Sequence, residues 1–299
     1  MVLFKMLITM LCVLLGVAFL TLLERKLLAY IQIRKGPNKV GFSGLFQPFA
    51  DALKLFTKEL LVPHGGNVFM FSLLPAFGLG LGLYAWGFMP SNNMFHVMEL
   101  ACLLFLLVSA LNVYVVLGAG WASNSSYSFL GGLRASAQTI SYEISLVFLL
   151  FLPMFLGESL NIHLFMGTFP VCWFFAFSLA LWGLSILAET NRAPFDFAEG
   201  ESELVSGFNV EYAGGLFALL FLGEYTMILL MSMLTSFIWF APSGNLWACS
   251  WGFVIAMGFL VIRGVYPRLR YDKLMDLCWK AILPVAISMI SFLGLFFFY

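Results

Sequence analysis

Eight stretches of this chain are apolar over roughly 20 residues each, the length a helix needs to cross the hydrocarbon of a bilayer: 2–23, 68–88, 100–121, 137–156, 169–188, 216–240, 246–262 and 281–299. In lipid every backbone N–H and C=O has to be satisfied within a helix or a closed barrel. The runs are too long and too uniformly apolar for the alternating strands of a membrane barrel, about ten residues each, so they are read as helices, and an even number puts both termini on one side. Only 10% of the residues are charged, against about 25% in soluble domains, which leaves no material for a water-facing fold. The expected fold is therefore an all-α integral membrane protein with about eight transmembrane helices. Without a Ser- or Pro-rich linker or an inverted repeat, residues 1–299 read as a single polytopic membrane domain. The first run carries only Lys5 and is followed by no small-residue cleavage site, so a retained first span is expected. The lack of a presequence fits a bacterial chain or one made inside an organelle.

Formal net charge is zero, with 15 basic and 15 acidic residues, so no global field recruits nucleic acid and the information lies in how charge is distributed. Connections 24–67, 122–136, 189–215 and 263–280 hold fourteen of the fifteen basic residues, and 89–99, 157–168 and 241–245 hold none. By the positive-inside rule the first group marks the cytoplasmic or matrix face. Connections 24–67 and 263–280 are net basic, whereas 189–215 sets Arg192 against Glu189, Asp196, Glu199, Glu201, Glu203 and Glu211. Loops gather charge by default because they are solvated. That default does not explain why Pro194, Phe195, Phe197 and Leu204 interleave the acids, as in a packed segment. Crowded carboxylates resist simultaneous ionisation and share protons, which suits proton uptake or relay.

Within the first connection, Leu45, Phe49, Leu53, Phe56 and Leu60 recur at helical spacing, with Gln47, Asp51, Lys54 and Lys58 on another face. The segment is expected to be an interfacial amphipathic helix, its apolar side in lipid or against the spans, with Pro48 in the first turn where its missing N–H costs little. It is either an ordinary surface helix or one wall of a slot at membrane level, with Asp51 facing a ligand. Glu143 and Glu224 fall inside spans four and six, and Glu189 closes span five. An unpaired carboxylate ionised at that depth costs a few kcal/mol, so these three are expected to be neutral, paired or beside water. They are candidates for a proton relay, with structural pairing as the alternative. The five cysteines are isolated, and the three histidines fall in connections, so no metal, haem or cluster site is expected here.

Several stretches together resemble a known family: Glu24-Arg-Lys, Gln32-Ile-Arg-Lys-Gly-Pro-Asn-Lys39, Gln47-Pro-Phe-Ala-Asp-Ala-Leu-Lys54, Arg134 with Ala137-Gln138 and Tyr142-Glu143, Pro194-Phe-Asp-Phe-Ala-Glu-Gly-Glu-Ser-Glu203, Asn209-Val-Glu-Tyr212 and Arg263-Gly-Val-Tyr-Pro-Arg-Leu-Arg-Tyr-Asp272. Along nearly its whole length the sequence is similar to the subunit-1 family of the proton-pumping NADH:ubiquinone oxidoreductase, respiratory complex I. Its compact length is nearer the mitochondrially encoded members than the bacterial ones. The resemblance implies an eight-helix subunit of the mitochondrial inner membrane, at the junction with the peripheral arm, whose matrix-side surface forms the lower part of the quinone tunnel. It implies ubiquinone as substrate, and FMN and iron-sulfur clusters only in partner subunits. It places Glu24, Arg25, Arg34, Asp51, Arg134, Arg192, Asp196, Glu199, Glu201, Glu203 and Arg270 along the quinone path. Glu143, Glu189 and Glu224 then begin the acidic route toward neighbouring membrane subunits. An ion-coupled secondary transporter or channel would also use buried carboxylates. Against it stand the missing paired interrupted spans and the concentration of charge at one face. A purely structural anchor for soluble subunits would explain the basic loops but not Glu143 and Glu224.

Overall fold

The computed structural model describes residues 2–63, 65–90, 99–167, 170–197 and 207–298, and the described residues form helices and turns without a strand. The helices are α1 (Val2–Ile31), α2 (Gln47–Thr57), α3 (Val68–Ala85), α4 (Ala101–Ala122), α5 (Ser126–Gly157), α6 (Ala176–Glu189), α7 (Gly214–Phe240), α8 (Asn245–Val265), α9 (Tyr271–Asp276) and α10 (Leu283–Phe298). A wider turn, Leu277–Ile282, joins α9 to α10 into one span. The turn lies immediately before Pro284, whose missing N–H and ring displace the carbonyl four residues back. Among the described residues seven helices are long and apolar enough to cross a membrane, and α6, in the expected fifth span, is a shorter apolar helix.

Several boundaries differ from those read on hydropathy. Helix α1 continues to Ile31, so Glu24 and Arg25 stand on a helix and not in a connection. Helix α5 begins at Ser126, which shrinks the expected connection 122–136 to three residues and puts Arg134 on a helix. The last span starts at Tyr271, well before 281. Hydropathy marks where lipid begins, whereas Leu, Ala, Glu, Arg and Lys carry a helix on into water at almost no cost in propensity. The fifth span departs the other way. Its helix starts only at Ala176, after a short 3-10 turn Val171–Trp173 that follows Pro170. Fourteen residues give a rise of about 21 Å, less than the roughly 30 Å of hydrocarbon.

Helix α7 packs against α1, α2, α3 and α8, and α5 packs against α4, α6 and α10, with α3 and α4 joining the two groups. Between helices in lipid there is no hydrophobic driving force, so close backbone approach through small residues takes its place. A Cβ on Gly82 of α3 would meet Thr226 Oγ1 of α7 at 2.2 Å, and one on Gly78 would meet Val115 Cγ1 of α4 at 2.9 Å. Gly82→Leu is therefore expected to prise α3 from α7 and lower the amount of folded protein, at an overpacking cost of about 1–3 kcal/mol. Gly80, whose Cβ would meet nothing within 4 Å, is the control. Equal yields of the two leucine variants after extraction in mild detergent would show that the glycine contact carries no such load.

Candidate functional site

Where the charged ends of α1, α7 and α8 converge, Glu24 is 5% exposed and is held from two sides. Arg263 of α8 makes an ion pair with its Oε1, and the Tyr225 hydroxyl of α7 donates to its Oε2 at 2.7 Å. A carboxylate this deep is tolerable only when so paired, and stripping one partner from a buried pair typically costs about 3–5 kcal/mol. One turn position further along α1, Arg25 reaches across to Asp51 of α2 at 2.5 Å, and the Gln47 amide donates to the other Asp51 oxygen at 3.0 Å. These two ionic side chains are 49% and 32% exposed. A pair so wet contributes about 0–1 kcal/mol, so it does little to hold α2 and can open to an entering ligand.

Between these groups lies a cavity of about 400 Å³. Its apolar walls come from Val17 and Leu28 of α1, Leu55 and Phe56 of α2, and Phe217 and Phe221 of α7. Its polar end is formed by Glu24, Arg25, Asp51, Arg192, Tyr225 and Arg263. The amphipathic helix supplies this wall with a face the hydropathy pattern did not single out: Pro48, Asp51, Ala52 and Leu55 turn inward. The rest of the apolar stripe, through Leu53 and Leu60, is exposed on the outside of the chain, with Phe56 at the cavity's edge. Phe49 joins the two sides, packing edge-on against Phe19 of α1 at 6.2 Å.

Arg192 belongs to the cavity because the segment after α6 is pinned there. The Gln138 amide of α5 donates to Ala188 O at 2.8 Å and to Phe195 O at 2.9 Å. From the other side Leu269 N donates to Pro194 O at 3.1 Å, and Arg268 pairs with Asp196 at 3.4 Å. Phe195 is buried and tilts against Tyr142, and Phe197 sits edge-on to Tyr271. This part of the acidic segment is packed and not merely solvated. Glu199, Glu201, Glu203 and Leu204 lie outside the described residues, as do His64 and His96. So held, the Arg192 guanidinium lies 4.3 Å from the centre of the Tyr225 ring and 3.5 Å from Glu224 Oε2.

Glu224 opens a second, much smaller space. Together with Glu189, Asn112 and Asn191 it lines a cavity of about 30 Å³, room enough for water. Glu189 is buried, and Glu143 of α5 lies close enough for the two like charges to interact. The three intramembrane acids expected from the sequence therefore come together on α5, α6 and α7. Arg134 and Arg270 also meet, but elsewhere, lining a polar cavity of about 430 Å³ with Tyr271 and Asp272. Arg34 is exposed just beyond α1 and does not line the main cavity. Asp196 stands with Arg268 and not on that cavity's wall.

Four side chains that build this site escape a reading by charge and hydropathy. Arg263 falls among residues that read as a connection, yet α8 runs two residues past it. Tyr225 and Gln138 are uncharged polar residues in apolar runs, and Arg268 is one basic residue among several. Only Tyr225 carried a local signal, its position next to Glu224.

A family model described as NADH dehydrogenase matches residues 4–294. The chain is 53% identical over 292 residues to NADH-ubiquinone oxidoreductase chain 1 of Aedes aegypti, covering 96% of this chain and 93% of the relative. It is 49% identical over 293 residues to the protein of the same name from Locusta migratoria, covering 96% and 92%. To that of Lampetra fluviatilis it is 48% identical over 298 residues, covering 95% and 92%.

Proposed function

This chain belongs to the NADH dehydrogenase family, and we propose that, as a membrane subunit of the NADH:ubiquinone oxidoreductase, it forms the membrane-level end of the quinone path. The observation that carries this reading is the 400 Å³ cavity between α1, α2 and α7, apolar along its walls and charged at one end. An isoprenoid tail needs such walls, which release water as it enters. A quinone headgroup needs hydrogen-bond donors at a fixed place, supplied here by Arg25, Arg192 and Arg263. Reduction of ubiquinone to ubiquinol takes up two electrons and two protons. FMN and the iron-sulfur clusters that deliver the electrons belong to partner subunits in this reading. Protons can be exchanged through the carboxylates at the charged end, and Glu24 and Asp51 are the nearest.

From that end the arrangement continues inward. Arg192 joins the cavity to Glu224, and Glu189 at the end of α6 and Glu143 midway along α5 extend the acids. We read these three as the start of a proton route toward neighbouring membrane subunits. The chain is then a multi-pass protein of the mitochondrial inner membrane with its charged end toward the matrix, where the peripheral arm docks. Glu199, Glu201, Glu203, Arg34, Arg134 and Arg270 belong to that same face and are assigned to the approach of the quinone and the docking of partner subunits.

Arg25 and Asp51 give the direct test. Arg25→Gln or Asp51→Asn is expected to lower NADH:ubiquinone reductase activity about tenfold, the scale of one charge-assisted hydrogen bond. NADH oxidation by an artificial hydrophilic acceptor should persist, because electrons enter through other subunits. If both activities fell together in assembled enzyme, or neither changed, the cavity would not be the quinone path.

A further inference from the structure

Tyr225 touches both ionic centres. Neighbouring residues on a helix point about 100° apart, so on α7 Glu224 faces the small cavity shared with Asn112 and Glu189, while Tyr225 faces α1 and the large cavity. Arg192 spans the two faces, with its guanidinium over the Tyr225 ring at 4.3 Å and 3.5 Å from Glu224 Oε2. At the far edge of the same ring the phenol hydroxyl donates to Glu24 Oε2 at 2.7 Å, beside the Glu24 pair with Arg263. The hydroxyl and the ring face thus serve different partners.

We propose that Tyr225 is a positioning residue with two separable duties: its hydroxyl fixes Glu24 at the wall of the quinone cavity, and its ring face holds Arg192 against Glu224. The proposal rests on the reading of the large cavity as the quinone path and of Glu224 as a relay acid. The hydroxyl duty is directional, because an O–H donor to a buried carboxylate oxygen selects one rotamer of Glu24 and leaves its other oxygen to Arg263. The ring duty is electrostatic, because the negative face of an aromatic ring attracts a guanidinium and does so more strongly where water is excluded. An aliphatic side chain fills the same space without that attraction. Two substitutions therefore separate the duties. Tyr225→Phe keeps the face and removes the hydroxyl, and Tyr225→Met keeps apolar volume and removes both.

The test is steady-state kinetics and proton translocation by assembled enzyme in proteoliposomes, with a short-chain ubiquinone as substrate. The Phe variant is expected to raise the quinone KM roughly three- to tenfold while kcat and protons moved per NADH stay at wild-type values. The Met variant is expected to show that same KM and, in addition, a lower number of protons per NADH. Where the Met variant does not assemble, Arg192→Lys takes its place. It keeps the charge without the planar face and is expected to lower protons per NADH, which the Phe variant leaves at the wild-type value. Phe and Met variants that behave alike, or a Phe variant that moves fewer protons, overturn the division of duties. Asp51→Asn and Glu224→Gln run in parallel separate the two levels of argument. If both respond while the Tyr225 variants do not divide, only the Tyr225 assignment falls. If both match wild type, the reading of the cavity falls and takes the assignment with it.

Discussion

Replacing Arg192 with Leu is expected to remove most of the assembled, quinone-active enzyme. Arg192 is 8% exposed and lies 3.5 Å from Glu224. Deleting one member of a buried ion pair leaves the other charge uncompensated, at a typical cost of about 3–5 kcal/mol. Loss of the guanidinium from the Tyr225 face adds to that cost. Because the marginal stability of a domain is only about 5–15 kcal/mol, a loss of this size shows as protein that fails to accumulate. Arg192→Lys restores the charge but neither the planar fork nor the stacking surface, so assembly should recover further than turnover. The measurements are the amount of intact complex on a native gel and the quinone reductase rate per assembled complex. Wild-type amounts and rates for Arg192→Leu would show that this buried charge neither stabilises the junction of α6 and α7 nor serves the site.

How far such a network could be foreseen depended on the kind of signal each residue left. The spans were legible because about 20 consecutive apolar residues have almost one physical use. Their ends were not, since Glu24, Arg25 and Arg134 continue helices that hydropathy would have stopped. The spacing of Gln47, Asp51, Lys54 and Lys58 placed Asp51 on the polar face of a helix but left open whether that face met water or a ligand. The inward face proved to be Pro48, Asp51, Ala52 and Leu55, with Phe56 at its edge, while the rest of the apolar stripe, through Leu53 and Leu60, is left on the outside of the chain. In a soluble protein that stripe would be buried. In a membrane protein apolarity is compatible with either direction, so it cannot by itself say which face meets protein. The intramembrane acids stood out individually because each is costly alone. Their meeting on three helices depended on Gln138 drawing the segment after α6 onto α5, and a lone polar residue in an apolar run does not announce such a partner. Arg134 and Arg270, which the family resemblance assigned to the quinone path with the others, line a cavity of their own with Asp272. Sequence similarity carries residue identity, but grouping within a face is a matter of tertiary distance.

Exchanging Glu224 or Glu143 for Gln is expected to lower the protons moved per NADH in assembled enzyme, and this effect should be separable from loss of structure. The side chains occupy nearly the same volume, and the amide keeps an oxygen acceptor while gaining an N–H donor. What disappears is the capacity to take up and release a proton. At Glu224 the change also removes the negative partner of Arg192. Some loss of stability is therefore expected there and not at Glu143, for which no ion pair is present among the described residues. Comparing the two variants thus isolates proton transfer from pairing. If the acids only brace the helices, Glu143→Gln should be indistinguishable from wild type, because a buried neutral amide is easier to hold than a buried charge. If they relay protons, both variants should move fewer protons per NADH, or turn over more slowly where pumping and quinone reduction are tightly coupled. Glu143→Asp should be milder where the shorter carboxylate still reaches toward Glu189. Proton translocation and NADH oxidation measured together in proteoliposomes decide between the two outcomes. Wild-type turnover and wild-type stoichiometry in both Gln variants would sink the relay.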